Sequence, residues 1–241
     1  MLYLIGLGLN EKGITKEGLD AISKCKKIYL ENYTVDFPYT FHQLEEVIGK
    51  KIILADREKV ENLSIVDEAK KLNVALLIYG SPFTATTHIT LINECRISGI
   101  KYKIIYNSSI LDAVAETGLQ LYKFGKITSM PAWKKSFEPD SFMKIVQQNM
   151  SQEAHSLILV DIGLNFKDAI RQLKIAAEKN GIPLKNFVVC QSLGTKNSKI
   201  LYRELEEFEG YSGVQKPYCI ILPSKLHFLE KEILELFKSK N

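Results

Sequence analysis

Small polar residues gather in this 241-residue chain where short apolar runs end. The run Val74-Ala75-Leu76-Leu77-Ile78 passes into Tyr79-Gly80-Ser81-Pro82-Phe83-Thr84-Ala85-Thr86-Thr87-His88. That stretch holds hydroxyls, turn formers and one of four histidines, and no charge beyond what His88 carries. Gly6-Leu7-Gly8-Leu9 follows Tyr3-Leu4-Ile5, and Asn107-Ser108-Ser109-Ile110 follows Tyr102 to Tyr106. Asp161-Ile162-Gly163 follows Leu157 to Val160, and Gln191-Ser192-Leu193-Gly194 follows Phe187 to Val189. Apolar runs of this length read as buried strands, and open α/β sheets bind ligands outside the carboxyl ends of their strands. The groups collected there are mostly neutral and form hydrogen bonds through backbone or hydroxyl. They suit an adenosine-like ligand with a zwitterionic tail better than a triphosphate.

Several other chemistries lack their residues. Gly6-x-Gly8 would need a third glycine at position 11 to complete a dinucleotide fingerprint, and Glu11 stands there. No GxxxxGK[ST] loop occurs, so the plain reading of the two glycines is a tight strand exit. No GxSxG elbow is present, and Ser81 is followed by a proline. His88 either bonds locally at a helix start or touches a ligand. Asp161 either caps a loop or orients a substrate. Those two are the candidates for a catalytic group. His42 and His155 read as structural or solvated, and Trp133 as a ring that packs a loop. Cys25, Cys95, Cys190 and Cys219 lie far apart with no CxxC pair, which argues against a metal site or a disulfide framework and for buried apolar roles.

The elements that must position these residues alternate. Thr15 is the expected cap of a helix to Cys25, and Ser64 of one to Leu72. Further helices are expected at Phe41–Ile48, Thr87–Ser98, Leu111–Thr117, Ser141–Met150, Lys167–Lys179 and Leu226–Lys238. Strands fall between them, at Lys27–Leu30, Ile52–Leu54, Val74–Ile78 and Tyr102–Tyr106, then Leu157–Val160, Phe187–Val189 and Tyr218–Leu222. Strand–helix alternation with uniformly apolar strands predicts an α/β protein built on a parallel sheet covered on both faces. Breakers at Gly125, Pro131 and Pro139 mark a connector over about 118–140. Two α/β domains, 1–110 and 111–241, are therefore expected.

The composition is that of a globular protein, 46% hydrophobic and 25% charged, with a net charge of +4. The excess of lysine is spread along the chain, which reads as a solvated surface and not a nucleic-acid-binding face. The apolar stretch Met1–Leu9 lacks the basic start and cleavage site of a leader, and no apolar run approaches membrane-spanning length. A cytoplasmic protein without membrane contact is expected.

The blocks MLYLIGLGLNEKGITKEGLDAI, GSPFTATTH, IIYNSSILDAVAETGLQLYKFGK, PDSF, AHSLILVDI and KPYCIILPSKLHFLE occur in this order. Together they resemble the diphthine synthase family, S-adenosylmethionine-dependent methyltransferases of the tetrapyrrole-methylase fold. The resemblance spans nearly the whole chain and thins between Ala176 and Leu201. The compact length resembles the archaeal form more than the longer eukaryotic one. It implies a parallel-sheet N-terminal domain, a mixed-sheet C-terminal domain, a cofactor cleft between them, and a homodimer. It also implies methylation of the amino group of 3-carboxy-3-aminopropyl-histidine on translation elongation factor 2. The family's cofactor contacts fall on Leu9, Ser81, Thr84, Ser109, Ile110, Val160, Leu193 and Tyr218, and no metal is implied. Three positions depart from the family pattern. Ser81 replaces an aspartate, Thr84 a small apolar residue, and Tyr218 often a histidine. Alternatives that the residues leave open are a methylase of corrinoid or other tetrapyrrole precursors and a non-catalytic cofactor-binding relative.

Overall fold

Strand β1 (Leu2–Gly6) is buried at every position, so both of its faces need cover. The computed structural model, which describes residues 1–238, shows what provides it. After β1 come α1 (Lys16–Ser23), β2 (Lys27–Glu31), α2 (Phe41–Ile48), β3 (Ile53–Ala55), α3 (Arg57–Glu61), α4 (Ser64–Ala69), β4 (Val74–Ile78), α5 (Ile89–Ile97), β5 (Tyr102–Ile105) and the single turn α6 (Ile110–Ala113). Leu2 and Leu4 point to a core shared with Val60, Ile65, Val66, Leu91 and Ile92, from α3, α4 and α5. Tyr3 and Ile5 point the opposite way, to Ala21, Ile22 and Leu44 from α1 and α2. The two-residue period of a strand thus feeds two helical layers.

All pairings in this sheet are parallel, in the order β3-β2-β4-β1-β5. From β1 the chain leaves toward β2, whereas from β4 it leaves toward β5. The chain leaving β1 enters the layer of α1 and the chain leaving β4 the opposite layer of α5, so the two adjacent exits lead to opposite faces of the sheet, the kind of point at which α/β sheets bind ligands.

Contacts divide the chain into two compact units, Met1–Ala113 and one beginning at Val114. The second opens with 3-10 turns at Val114–Thr117 and Leu121–Lys123, then β6 (Thr128–Met130), α7 (Ser141–Ser151), β7 (Ser156–Val160), α8 (Phe166–Lys179), β8 (Phe187–Gln191), β9 (Lys199–Arg203), α9 (Leu205–Glu209), β10 (Tyr218–Leu222) and α10 (Phe228–Glu235). Its sheet runs β6-β7-β10-β8-β9 and is mixed: β6 and β7 are parallel, and the remaining pairs are antiparallel. Ala169, Ile170, Leu173 and Ala177 of α8 pack one apolar stripe on this sheet with Phe142, Phe187 and Phe208.

Thr15 caps α1 as expected, its Oγ1 accepting the Gly18 amide at 3.0 Å. Several local expectations need correction. The segment 118–140 holds strand β6, whose three residues carry no alternation and are ordered by pairing with β7. The helix expected over Leu111–Thr117 is one α-turn followed by a 3-10 turn. Ser64 does not cap its helix by side chain, because its amide is bonded by Asn62 Oδ1 and the cap residue is Leu63 at φ 63°. Trp133 packs against the second core, with Nε1 donating to the Pro139 carbonyl. Two of the histidines part company: His155 is fully buried and His42 is largely exposed. All four cysteines are buried and free.

Candidate functional site

At the carboxyl edge of the parallel sheet the β1 and β4 exits are tied to each other. Leu7 N–H donates to the Ile78 carbonyl at 2.9 Å, and Gly8 and Gly80 exchange two backbone bonds of 3.1 and 2.9 Å. Both glycines adopt left-handed φ, 71° and 70°, which a side chain would strain. A Cβ on Gly6 would stand 2.6 Å from the Gly80 carbonyl oxygen, so the two loops close only over a glycine.

The β5 exit joins them through Asn107. Its Nδ2 donates to the carbonyls of Gly6 at 3.0 Å and Gly13 at 2.9 Å, and its Oδ1 accepts the Ser108 amide. Ser109 is nearly buried, with its amide and hydroxyl both donating to Asp112 Oδ2 at 2.7 and 3.1 Å. Ile110 starts α6 directly after it. Tyr79 OH donates to the Leu9 carbonyl at 3.0 Å, in a ring cluster with Phe37 and Tyr39, and burial pushes its phenol pKa up. Leu9, Ser81, Thr84, Ser109 and Ile110 thus belong to loops leaving three strands at one edge of one sheet. Thr84 N–H donates to the Ser81 carbonyl at 3.1 Å, closing the turn after β4.

The second unit brings the remaining three together at an edge of its own. Because β10 runs antiparallel to both neighbours, its start lies beside the ends of β7 and β8. Val160 ends β7, Tyr218 opens β10 opposite Gln191, and Leu193 follows β8 in a turn held by Ser192 N–H to the Pro217 carbonyl at 2.9 Å. Tyr218 OH donates to the Leu164 carbonyl at 3.0 Å.

The two acid–base candidates sit differently. Asp161 Oδ2 accepts the Ala132 amide and Oδ1 the Ile162 amide, each at 3.0 Å, so its carboxylate ties the exits of β6 and β7. His88 is 1% exposed, with Nδ1 3.1 Å from the Pro82 carbonyl and Nε2 3.5 Å from both Glu31 Oε2 and Tyr33 OH. Among the described residues no group of His, Cys, Asp or Glu could hold a metal ion, and no helix is long and apolar enough to cross a membrane. Sequence reasoning noted Asn107 only as part of a strand end and missed its clamp, as it did the Tyr79 strut. The Ser109-x-x-Asp112 spacing, a helix-start pattern, was the available signal for the Asp112 contact.

A strand-end edge of glycines, hydroxyls and amides in a two-unit α/β chain has a counterpart among known proteins. Residues 1–209 match the tetrapyrrole (corrin/porphyrin) methylases, and the chain belongs to that family. It is accordingly a methyltransferase. Within the family its likeness runs to proteins named for one activity. The diphthine methyl ester synthase of Mus musculus is 44% identical over 270 residues, covering 98% of this chain and 96% of that one. The diphthine synthase of Methanocaldococcus jannaschii is 36% identical over 251 residues, covering 98% of both. A crystal structure of diphthine synthase superposes with a TM-score of 0.89 at 28% identity, covering 98% of this chain and 95% of the other.

Proposed function

We propose that this methyltransferase acts in diphthamide biosynthesis. It would transfer methyl groups from S-adenosyl-L-methionine to the amino group of 3-carboxy-3-aminopropyl-histidine on translation elongation factor 2. The observation that carries the reading is the end-to-end match to relatives named for this activity, one at 44% identity. The residues present fit such a cofactor. The edge formed by Leu9, Ser81, Thr84, Ser109 and Ile110 offers backbone and hydroxyl partners for a ligand whose own charges nearly balance. On the family resemblance we assign Val160, Leu193 and Tyr218 to the same cofactor, and we read the chain as domains 1–110 and 111–241.

The cofactor supplies a methyl group already activated on a sulfonium. What remains for the protein is to hold the substrate amine unprotonated and in line with that methyl, which positioning alone accelerates strongly. The amine nitrogen gains the methyl carbon and gives its proton to water or to a nearby side chain, Asp161 being the candidate to mutate for that role. We further read the protein as a cytoplasmic homodimer without nucleic-acid or membrane partners.

A second reading adds a step. The relative of higher identity is named as a methyl ester synthase, so methylation of the same side chain's carboxylate is the alternative end point. Purified protein, cofactor and elongation factor bearing the unmethylated side chain should give mass gains in whole methyl units. Loss of one unit on mild base treatment identifies an ester. No gain on a competent substrate overturns the proposal, and label entering a corrinoid precursor instead would reassign the substrate. Failure to bind S-adenosylhomocysteine would leave a non-catalytic relative.

A further inference from the structure

His88 occupies the cap position of α5, yet its side chain makes no capping bond to that helix. It reaches back six residues to the Pro82 carbonyl, 3.1 Å from Nδ1. A carbonyl can only accept, which places the hydrogen on Nδ1. The Thr86 hydroxyl donates to the same oxygen at 2.9 Å. Ala85, immediately before Thr86, holds a left-handed φ of 55°. Strained backbone of this kind persists only where its surroundings over-determine it.

Behind the ring lies Glu31, the last residue of β2 and 1% exposed. Neither of its oxygens has a hydrogen bond of ordinary geometry, and His88 Nε2 stands 3.5 Å from Oε2. Burial pushes this carboxyl upward, against weaker pulls from Thr34, His88 and the Tyr33 backbone. Tyr33 OH also faces Nε2 at 3.5 Å. A chain of contacts thus runs from the end of β2 through an imidazole to the loop that follows β4.

We propose that His88, backed by Glu31 and Tyr33, is a positioning residue that braces the Ser81–Thr84 turn of the methyl-transfer site through the Pro82 carbonyl. The inference rests on the assignment of that turn to the cofactor. The ring itself is turned into the protein, so its part is to fix the shape that the turn presents. Asn and Gln divide its two functions, since an Asn amide overlays Nδ1 and a Gln amide reaches toward Nε2.

The test compares H88N and H88Q, each also made with Glu31→Gln so that no unpaired buried carboxylate confuses the outcome. S-adenosylhomocysteine is the probe, by calorimetry, beside amide hydrogen exchange at Gly80 and Thr84 and thermal unfolding. H88Q is expected to lose roughly tenfold in affinity and to exchange both amides faster, while H88N restores both at similar stability. Equal affinity and equal exchange in the two variants overturn the brace. Wild-type protein that binds no S-adenosylhomocysteine defeats the cofactor assignment instead, and the exchange measurement still decides whether His88 orders the turn.

Discussion

Ser81 concentrates the chemical question at the scale of single residues. It follows Gly80, whose backbone is locked to Gly8 by two bonds, so its position is set by main chain and not by its own side chain. The family resemblance places an aspartate here, and a carboxylate accepting from a ligand forms a charge-assisted bond that contributes about 1.5–3 kcal/mol. Ser81→Asp is therefore expected to tighten S-adenosylhomocysteine binding by roughly tenfold to a hundredfold, read by calorimetry. Unchanged affinity would mean that the backbone supplies the contacts that matter. Ser81, Thr84 and Ser109 were legible because hydroxyls at the ends of apolar runs stand out. The Asn107 clamp was not, because its partners Gly6 and Gly13 lie 101 and 94 positions away. Nothing in the local sequence marks which carbonyls an asparagine will find.

At the scale of elements, α10 is anchored by one buried carboxylate. Glu230 is fully buried, accepts the amides of Gln120 and His227, and pairs with Lys123 and with His155 Nε2. His155 Nδ1 accepts the Ser224 amide, and burial lowers the pKa of the ring, which keeps it neutral. Burial pushes the Glu230 carboxyl up, but the hydrogen bonds outweigh it and hold the group at about 2 instead of 4.5. A carboxyl whose folded-state pKa is lowered stabilises the protein above its unfolded value. That contribution fades as pH falls from 4.5 through about 2. Glu230→Gln should cost on the order of 3 kcal/mol near neutrality, with the difference from wild type vanishing at the acid end. Urea midpoints measured across this range check it, and a difference independent of pH would refute it. The sequence showed α10 as an apolar stripe, whereas the ion cluster at its start draws on residues more than a hundred positions distant.

Three apolar clusters surround the two sheets, with Cys25 and Cys95 inside two of them, and Cys190 and Cys219 are buried within strands of the second sheet. Cys190 and Cys219 face each other in register across β8 and β10. Hydrogen bonding to Cys219, with burial, raises the Cys190 thiol well above its ordinary value. Burial raises that of Cys25 to about 11. Thiolate is the reactive form, so the folded protein should be inert to an aromatic disulfide reagent at mildly alkaline pH. All four thiols should react once denaturant unfolds it. Rapid reaction of any one in the native state would show local opening of the core that holds it.

The sequence by itself determined the α/β class, the burial of the strands and the ends at which polar groups collect. Those features depend on local periodicity and composition, which neighbouring residues carry. Tertiary structure alone decided the strand order, the Gly8–Gly80 closure and the turning of His88 inward onto Pro82 and Glu31. It also made 128–130 a strand, because an edge strand of three residues owes its form to its partner. These are pairings between distant segments, whose free energy exists only once the chain has brought them together.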